Sequence, residues 1–194
     1  MAENTLIIFV KNPIPGTVKT RIARTVGDER ATDVYRDLLR HTQEIMQPLT
    51  CRRVVYYGDF INPDDGWNGY DKQLQLGSNL GERMLTALRE QFKCGANRII
   101  IIGSDCLTIT ADHVEQAFAA LDKADVVIGP ATDGGYYLLG MKQLHPFLFA
   151  NMPWSQPELC QLTEQAIRQH DLTFGQLDEL TDIDEWADYE NALK

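Results

Sequence analysis

The stretch Asn97-Arg98-Ile99-Ile100-Ile101-Ile102-Gly103-Ser104-Asp105-Cys106 sets a charged lead-in before four consecutive isoleucines, then stops on small residues and an acid. β-Branched side chains that are apolar on both faces suit a central parallel strand covered by helices from either side. Asp105 then leaves the carboxyl end of a buried strand, the edge at which open α/β sheets bind ligands. A carboxylate there is solvated, caps the next helix, or holds a cation against a polyanionic substrate.

Working outward, Thr5-Leu6-Ile7-Ile8-Phe9-Val10 is a second two-faced apolar strand. It breaks into Lys11-Asn12-Pro13-Ile14-Pro15-Gly16-Thr17-Val18-Lys19-Thr20-Arg21, where the prolines and glycine exclude helix and ladder and predict a shaped loop. The loop either turns with its cations solvated or presents Lys19, Arg21 and backbone N–H groups to phosphates. It is not a P-loop, because Gly-x-x-Lys-Thr lacks the adjacent Gly-Lys of that cradle.

The remaining pattern alternates helices and strands. A helix is expected over residues 28–47 with Asp28 as N-cap, and a strand over 52–58. A turn-rich excursion with solvated acids follows over 62–70, with a short strand over 73–76. Glycines around Asn79 open a helix that carries Met84, Leu85, Leu88 and Phe92 inward, and they are either an ordinary helix start or a place for close ligand approach. Thr110 or Asp112 caps a helix through Leu121, and residues 125–130 form a strand expected to neighbour the central one. Asp133-Gly134-Gly135 reverses the chain into a further strand, so Asp133 is a turn residue or faces the ligand crevice. Residues 152–155 are expected to cap a helix to about residue 170, with a late strand over 172–177. Asp182 and Asp184 share one face of an extended segment before the last helix, where they act as an acidic helix start or as ligands. The histidines, 41, 113, 145 and 170, lie apart and read as structural or exposed.

Composition excludes several classes. The 194 residues, 44% hydrophobic and 24% charged, suit one globular domain spanning 1–194. A net charge of -10 argues against nucleic-acid or anionic-membrane surfaces, which recruit clustered Lys and Arg. No apolar run is long enough to span a membrane, and the N-terminus has no signal-peptide pattern. Cys51, Cys94, Cys106 and Cys160 are scattered without metal-ligand spacing, as expected of free thiols in a cytoplasmic protein.

Taken together, Lys-Asn-Pro-x-Pro-Gly-x-Val-Lys-Thr-Arg, Asn-Leu-Gly-Glu-Arg-Met, Ile-Gly-Ser-Asp-Cys, Asp-Gly-Gly-Tyr-Tyr-Leu-Leu-Gly and Asp-Ile-Asp occur in this order along nearly the whole chain. They resemble the glycosyltransferase-like family of radical-SAM/selenodomain-associated transferases. The layout is also similar to that of guanylyltransferases and CMP-sugar synthetases. The resemblance implies an α/β fold, a three-layer α/β/α sandwich with a mostly parallel sheet, of the GT-A nucleotide-diphospho-sugar transferase type. It implies that Lys11, Pro13, Gly16, Lys19, Thr20, Arg21, Asn79, Gly81, Arg83 and Ser104 bind nucleotide. Asp133, Gly134, Gly135, Tyr136 and Trp154 would hold sugar or acceptor. Asp105, with Asp184 or Asp182, would hold Mg²⁺ or Mn²⁺, hard cations suited to carboxylate and phosphate oxygens.

The function implied is a metal-dependent transferase drawing on a nucleotide sugar or nucleoside triphosphate and a small-molecule acceptor, with Asp105, Lys19 and Asp133 as its catalytic groups. Glycosyl transfer stands first and nucleotidyl transfer with release of pyrophosphate second. A non-catalytic nucleotide-binding protein is the reading from another class, and retention of Lys19, Arg21, Asp105 and Asp184 argues against it. A homo-oligomer is compatible with the sequence.

Overall fold

The structure, a computed structural model, describes residues 3–194; residues 1 and 2 of the expected domain lie outside it. Seven strands form one sheet in the order β3-β2-β1-β4-β6-β5-β7. They are β1 (Glu3–Val10), β2 (Arg52–Tyr57), β3 (Asp71–Leu74), β4 (Ala96–Ile102), β5 (Val126–Pro130), β6 (Tyr136–Met141) and β7 (Phe174–Gln176). The isoleucine run lies in β4, fourth of the seven, and pairs in parallel with β1 from Thr5 opposite Ile99 to Ile8 opposite Ile102. All four isoleucines are at most 3% exposed.

Strand alternation sends this apolar sequence into two cores. Leu6, Ile8, Ile100 and Ile102 pack beneath α1 (Thr20–Val26), α2 (Asp28–Met46), α4 (Ala111–Ala120) and α6 (Trp186–Ala192). Ile7, Ile99 and Ile101 pack against α3 (Leu80–Lys93), α5 (Leu159–Gln169) and a 3-10 turn, Pro146–Phe149. Helices on both faces make the three-layer α/β/α sandwich.

Several local expectations need correction. β6 lies between β4 and β5, antiparallel to both, so the strand before Asp133 does not border the central strand. A tight turn allows an antiparallel neighbour to insert directly, whereas a parallel one needs a crossover. The first loop gives way to α1 at Thr20, and Gly27 rather than Asp28 caps α2. β3 begins at Asp71 because its register is taken from Val54 of β2. The segment after Trp154 stays in turns until Leu159, with Ser155 at φ 62. Nor are the acids of the 62–70 excursion all solvated. Asp65 pairs with Lys72 at 2.8 Å and accepts from Tyr57 Oη at 2.6 Å, around a Trp67 that is 2% exposed.

Among the described residues no helix is long and apolar enough to cross a membrane. All four cysteines are free thiols, Cys106 and Cys160 buried.

Candidate functional site

All strands except β6 end at the same edge of the sheet, and β6 begins there. A cleft of about 730 Å³ opens along this edge, lined by the loop after β1, the Ser104-Asp105-Cys106 exit of β4, the Asp133 turn and the 182–184 segment.

Distant segments meet at its acidic end through backbone bonds. Ile183 N–H donates to Asp105 O at 2.8 Å, and Ile183 itself is 1% exposed, anchoring the chain so that Asp182 and Asp184 flank it. Lys19, capping α1 in the left-handed region at φ 47, donates from Nζ to Ile183 O at 2.7 Å. The same ammonium stands 2.6 Å from Asp105 Oδ1 and 3.9 Å from Asp184 Oδ1, while Arg21 reaches Asp184 Oδ2 at 3.2 Å. A non-glycine residue at positive φ is strained, and such strain concentrates at functional sites.

Lys19 is therefore no solvated loop cation. Its side chain is 8% exposed, against 57% for Arg21. The acids converge as expected, but they have a counter-ion, which the sequence reading did not foresee because Lys19 and Asp105 lie far apart along the chain.

Electrostatics record the crowding. Burial, then the neighbouring Asp105, pushes the Asp182 carboxyl up to about 7, with Lys19 opposing and Asp133 and Asp184 adding to the rise. Asp184 is also raised, by burial first, against the pull of Lys19. Tyr35, whose hydroxyl accepts from Lys11 N at 2.9 Å and bonds Ser104 Oγ at 3.1 Å, is raised by burial and by Asp105.

Among the described residues no three His, Cys, Asp or Glu side chains are grouped to hold a metal unaided. The donors nonetheless suit a hard divalent cation. Asp105 and Asp184 are 46% and 40% exposed on one cleft wall and already share one positive charge. Mg²⁺ takes one or two carboxylates and completes its shell with water or phosphate oxygens.

The other site expectations divide. Lys11, Lys19, Thr20, Arg21, Ser104, Asp105, Asp133, Gly135, Tyr136, Trp154, Asp182 and Asp184 line the cleft. Ser104 lines it from within the wall, 3% exposed. Pro13 and Gly16 do not line it; Gly16 at φ 79 turns the loop. Asn79, Gly81 and Arg83 also lie off the cleft. Asn79 Oδ1 accepts from Glu82 N–H as the α3 cap, and Arg83 Nε donates to Gly77 O. Gly81 clears space for the Trp154 ring, which a Cβ would overlap. Gly134, at φ 88, likewise makes room, here for the Pro157 carbonyl. Asp133 Oδ1 accepts from Gly135 N–H at 2.8 Å, holding the turn. The sequence reading missed Tyr35 and Gln75 as lining residues, since a helix-face tyrosine and a glutamine after an edge strand carry no motif, and within Asn-Leu-Gly-Glu-Arg-Met it is Leu80 and Met84 that line the cleft.

A family model described as "Uncharacterized protein conserved in bacteria (DUF2064)" matches residues 44–156. The chain is 31% identical over 121 residues to a phosphoenolpyruvate guanylyltransferase of Sphaerobacter thermophilus, covering 59% of the chain and 56% of that relative, little more than half its length. A crystal structure from Desulfovibrio desulfuricans G20, described as a nucleotide-diphospho-sugar transferase, is similar at TM-score 0.89 and 31% identity, with 95% of this chain and 84% of that one covered. The glucosyl-3-phosphoglycerate synthase of Mycobacterium tuberculosis, solved with Mn²⁺ and UDP, shares the fold at TM-score 0.58 and 10% identity, over 93% and 71% of the two chains. These relatives and structural neighbours are transferases, and the chain shares their fold.

Proposed function

The chain belongs to the DUF2064 family, and because Lys19 joins Asp105 to Asp184 in the cleft we propose that it is a metal-dependent transferase acting on a nucleotide-activated donor. The lysine–carboxylate cluster carries this reading. A β4-terminal carboxylate beside a buried ammonium suits a phosphate chain that would be neutralised jointly by a divalent cation and by Lys19 and Arg21.

Asp105 and Asp184 would hold the cation, which supplies Lewis-acid polarisation of phosphate oxygens when bound. Lys19 and Arg21 orient the phosphates and stabilise charge that develops on the departing pyrophosphate or nucleoside diphosphate. Ser104 and Tyr35 brace the wall on which Asp105 stands. Gly135, Tyr136 and Trp154 also line the cleft and would receive the acceptor.

The relatives support nucleotidyl transfer as well as glycosyl transfer, and of the two we favour nucleotidyl transfer. A hydroxyl acceptor in glycosyl transfer calls for a proton acceptor, for which Asp133, one of whose oxygens accepts from Gly135 N–H, is the cleft's candidate. An anionic acceptor attacking an α-phosphate requires only cations. The guanylyltransferase relative supports the same choice, and the full-length likeness to the Desulfovibrio protein keeps glycosyl transfer as the second reading. Product analysis separates them: GTP with Mg²⁺ and phosphoenolpyruvate or related phosphorylated acids should release pyrophosphate. Release of nucleoside diphosphate from nucleotide sugars, without pyrophosphate from any triphosphate, would establish glycosyl transfer instead.

A further inference from the structure

Gln75 follows β3 and lines the cleft, and its amide is held in one orientation. Nε2 donates to Tyr56 O at 2.9 Å and to Val10 O at 3.3 Å, and the backbone N–H donates to Tyr57 O at 2.9 Å. Carbonyl oxygens only accept, so the amide nitrogen must face them and Oε1 must face elsewhere. That oxygen accepts no hydrogen bond among the described residues and is not among the buried unpartnered atoms. It is a fixed, accessible acceptor.

A fixed acceptor here has a donor beside it. A Cβ placed on Gly58 would stand 3.3 Å from Lys11 Cγ and 3.4 Å from Gln75 Oε1, so the two side chains lie side by side over that glycine. The Lys11 ammonium has no hydrogen bond or ion pair among the described residues, although Lys11 also lines the cleft. Leu80, 42% exposed, and Met84 add apolar surface to the same cleft, with Trp154 against Gly81 at the start of the same helix.

Resting on the nucleotide-donor reading above, we propose that Lys11 and Gln75 select the base of the donor, favouring a ring carbonyl beside a ring N–H, as in guanine and uracil, over the amino bases adenine and cytosine. With the phosphates drawn to Lys19 and Arg21, the base occupies the part of the cleft that pairs apolar walls with unused polar groups. The Lys11 ammonium donates to the ring carbonyl, and Gln75 Oε1 accepts from the adjacent ring N–H. An amino base reverses both partners, setting an amino group against the ammonium and a ring-nitrogen lone pair against Oε1. Desolvated groups left without partners make such reversals costly.

Calorimetric titration with GDP, UDP, ADP and CDP in Mn²⁺ tests this, since a nucleoside diphosphate is common to the donors of both transfer reactions. The parent should bind GDP and UDP at least roughly tenfold more tightly than ADP and CDP. Gln75→Met and Lys11→Met should each shrink that preference to about threefold or less, mainly by weakening GDP and UDP. Melting curves establish that each variant is folded, and Lys11→Met carries the test alone if loss of the amide bonds unfolds Gln75→Met. Equal binding of all four, tighter binding of ADP or CDP, or an unchanged preference in a folded variant overturns the base assignment and leaves the nucleotide reading intact. Binding of none of them overturns both.

Discussion

Asp182→Asn should stabilise the protein, and only above mildly acidic pH. Burial and the nearby Asp105 move this carboxyl from 3.8 to about 7 in the folded state. A folded-state pKa raised above the unfolded one means that the folded protein holds the extra proton, so this group's contribution is fully present below about pH 4 and is lost as pH rises through about 7. At about 1.4 kcal/mol per unit the shift amounts to roughly 4 kcal/mol, and water in the open cleft reduces this to about 2–4 kcal/mol. Asparagine has the shape of the protonated acid and does not titrate. Urea unfolding of parent and variant should therefore differ by about 1 kcal/mol or less at about pH 4.5, with the variant more stable by about 2–4 kcal/mol at about pH 8. A difference that stays constant between the two pH values, or one that favours the parent at the higher value, refutes the crowding of carboxylates around Asp182.

Asp105→Asn behaves in the opposite way, because its partner Lys19 is only 8% exposed. Removing the carboxylate leaves a poorly solvated ammonium, and thermal or urea unfolding should show a loss of about 1–3 kcal/mol, discounted for the half-exposed acid. Lys19→Met, which relieves that ammonium but exposes the acids to one another, should weaken nucleotide binding by tenfold or more, measured by titration. Gly134→Ala places a methyl group on the Pro157 carbonyl at φ 88; a melting curve should record a loss of about 2 kcal/mol or more.

The strong apolar runs carried the fold. Ile99 to Ile102 and Leu6 to Ile8 are buried on both faces as their composition demands, and α2, α3 and α4 follow from their apolar stripes. Strand order was less legible. Nothing local to residues 125–141 distinguishes β5 beside β4 from β6 beside β4, since that choice is made by pairing across the whole sheet. The short helix α1 was hidden by the prolines and glycine that precede it.

At the site, Asp105 and Asp133 stood out because each follows a strand, and Asp182 and Asp184 because they share one face of the extended segment before the last helix; all four line the cleft. The burial of Lys19 depends on Ile183 bonding to Asp105, a contact between residues 105 and 183 that no window of sequence contains. Asn79 and Arg83 make their hydrogen bonds at the start of α3, and Gly81 seats Trp154.

The central claim, that Asp105 and Lys19 bring a divalent cation and a nucleotide phosphate chain together, is tested most directly by calorimetric titration of GTP into parent and Asp105→Asn. Each titration is run with Mg²⁺ and again with a chelator. The parent should bind GTP strongly only when Mg²⁺ is present, and Asp105→Asn, folded by its melting curve, should lose that metal-dependent increment. Binding to the parent that ignores Mg²⁺, or a folded Asp105→Asn that retains the full increment, would contradict it.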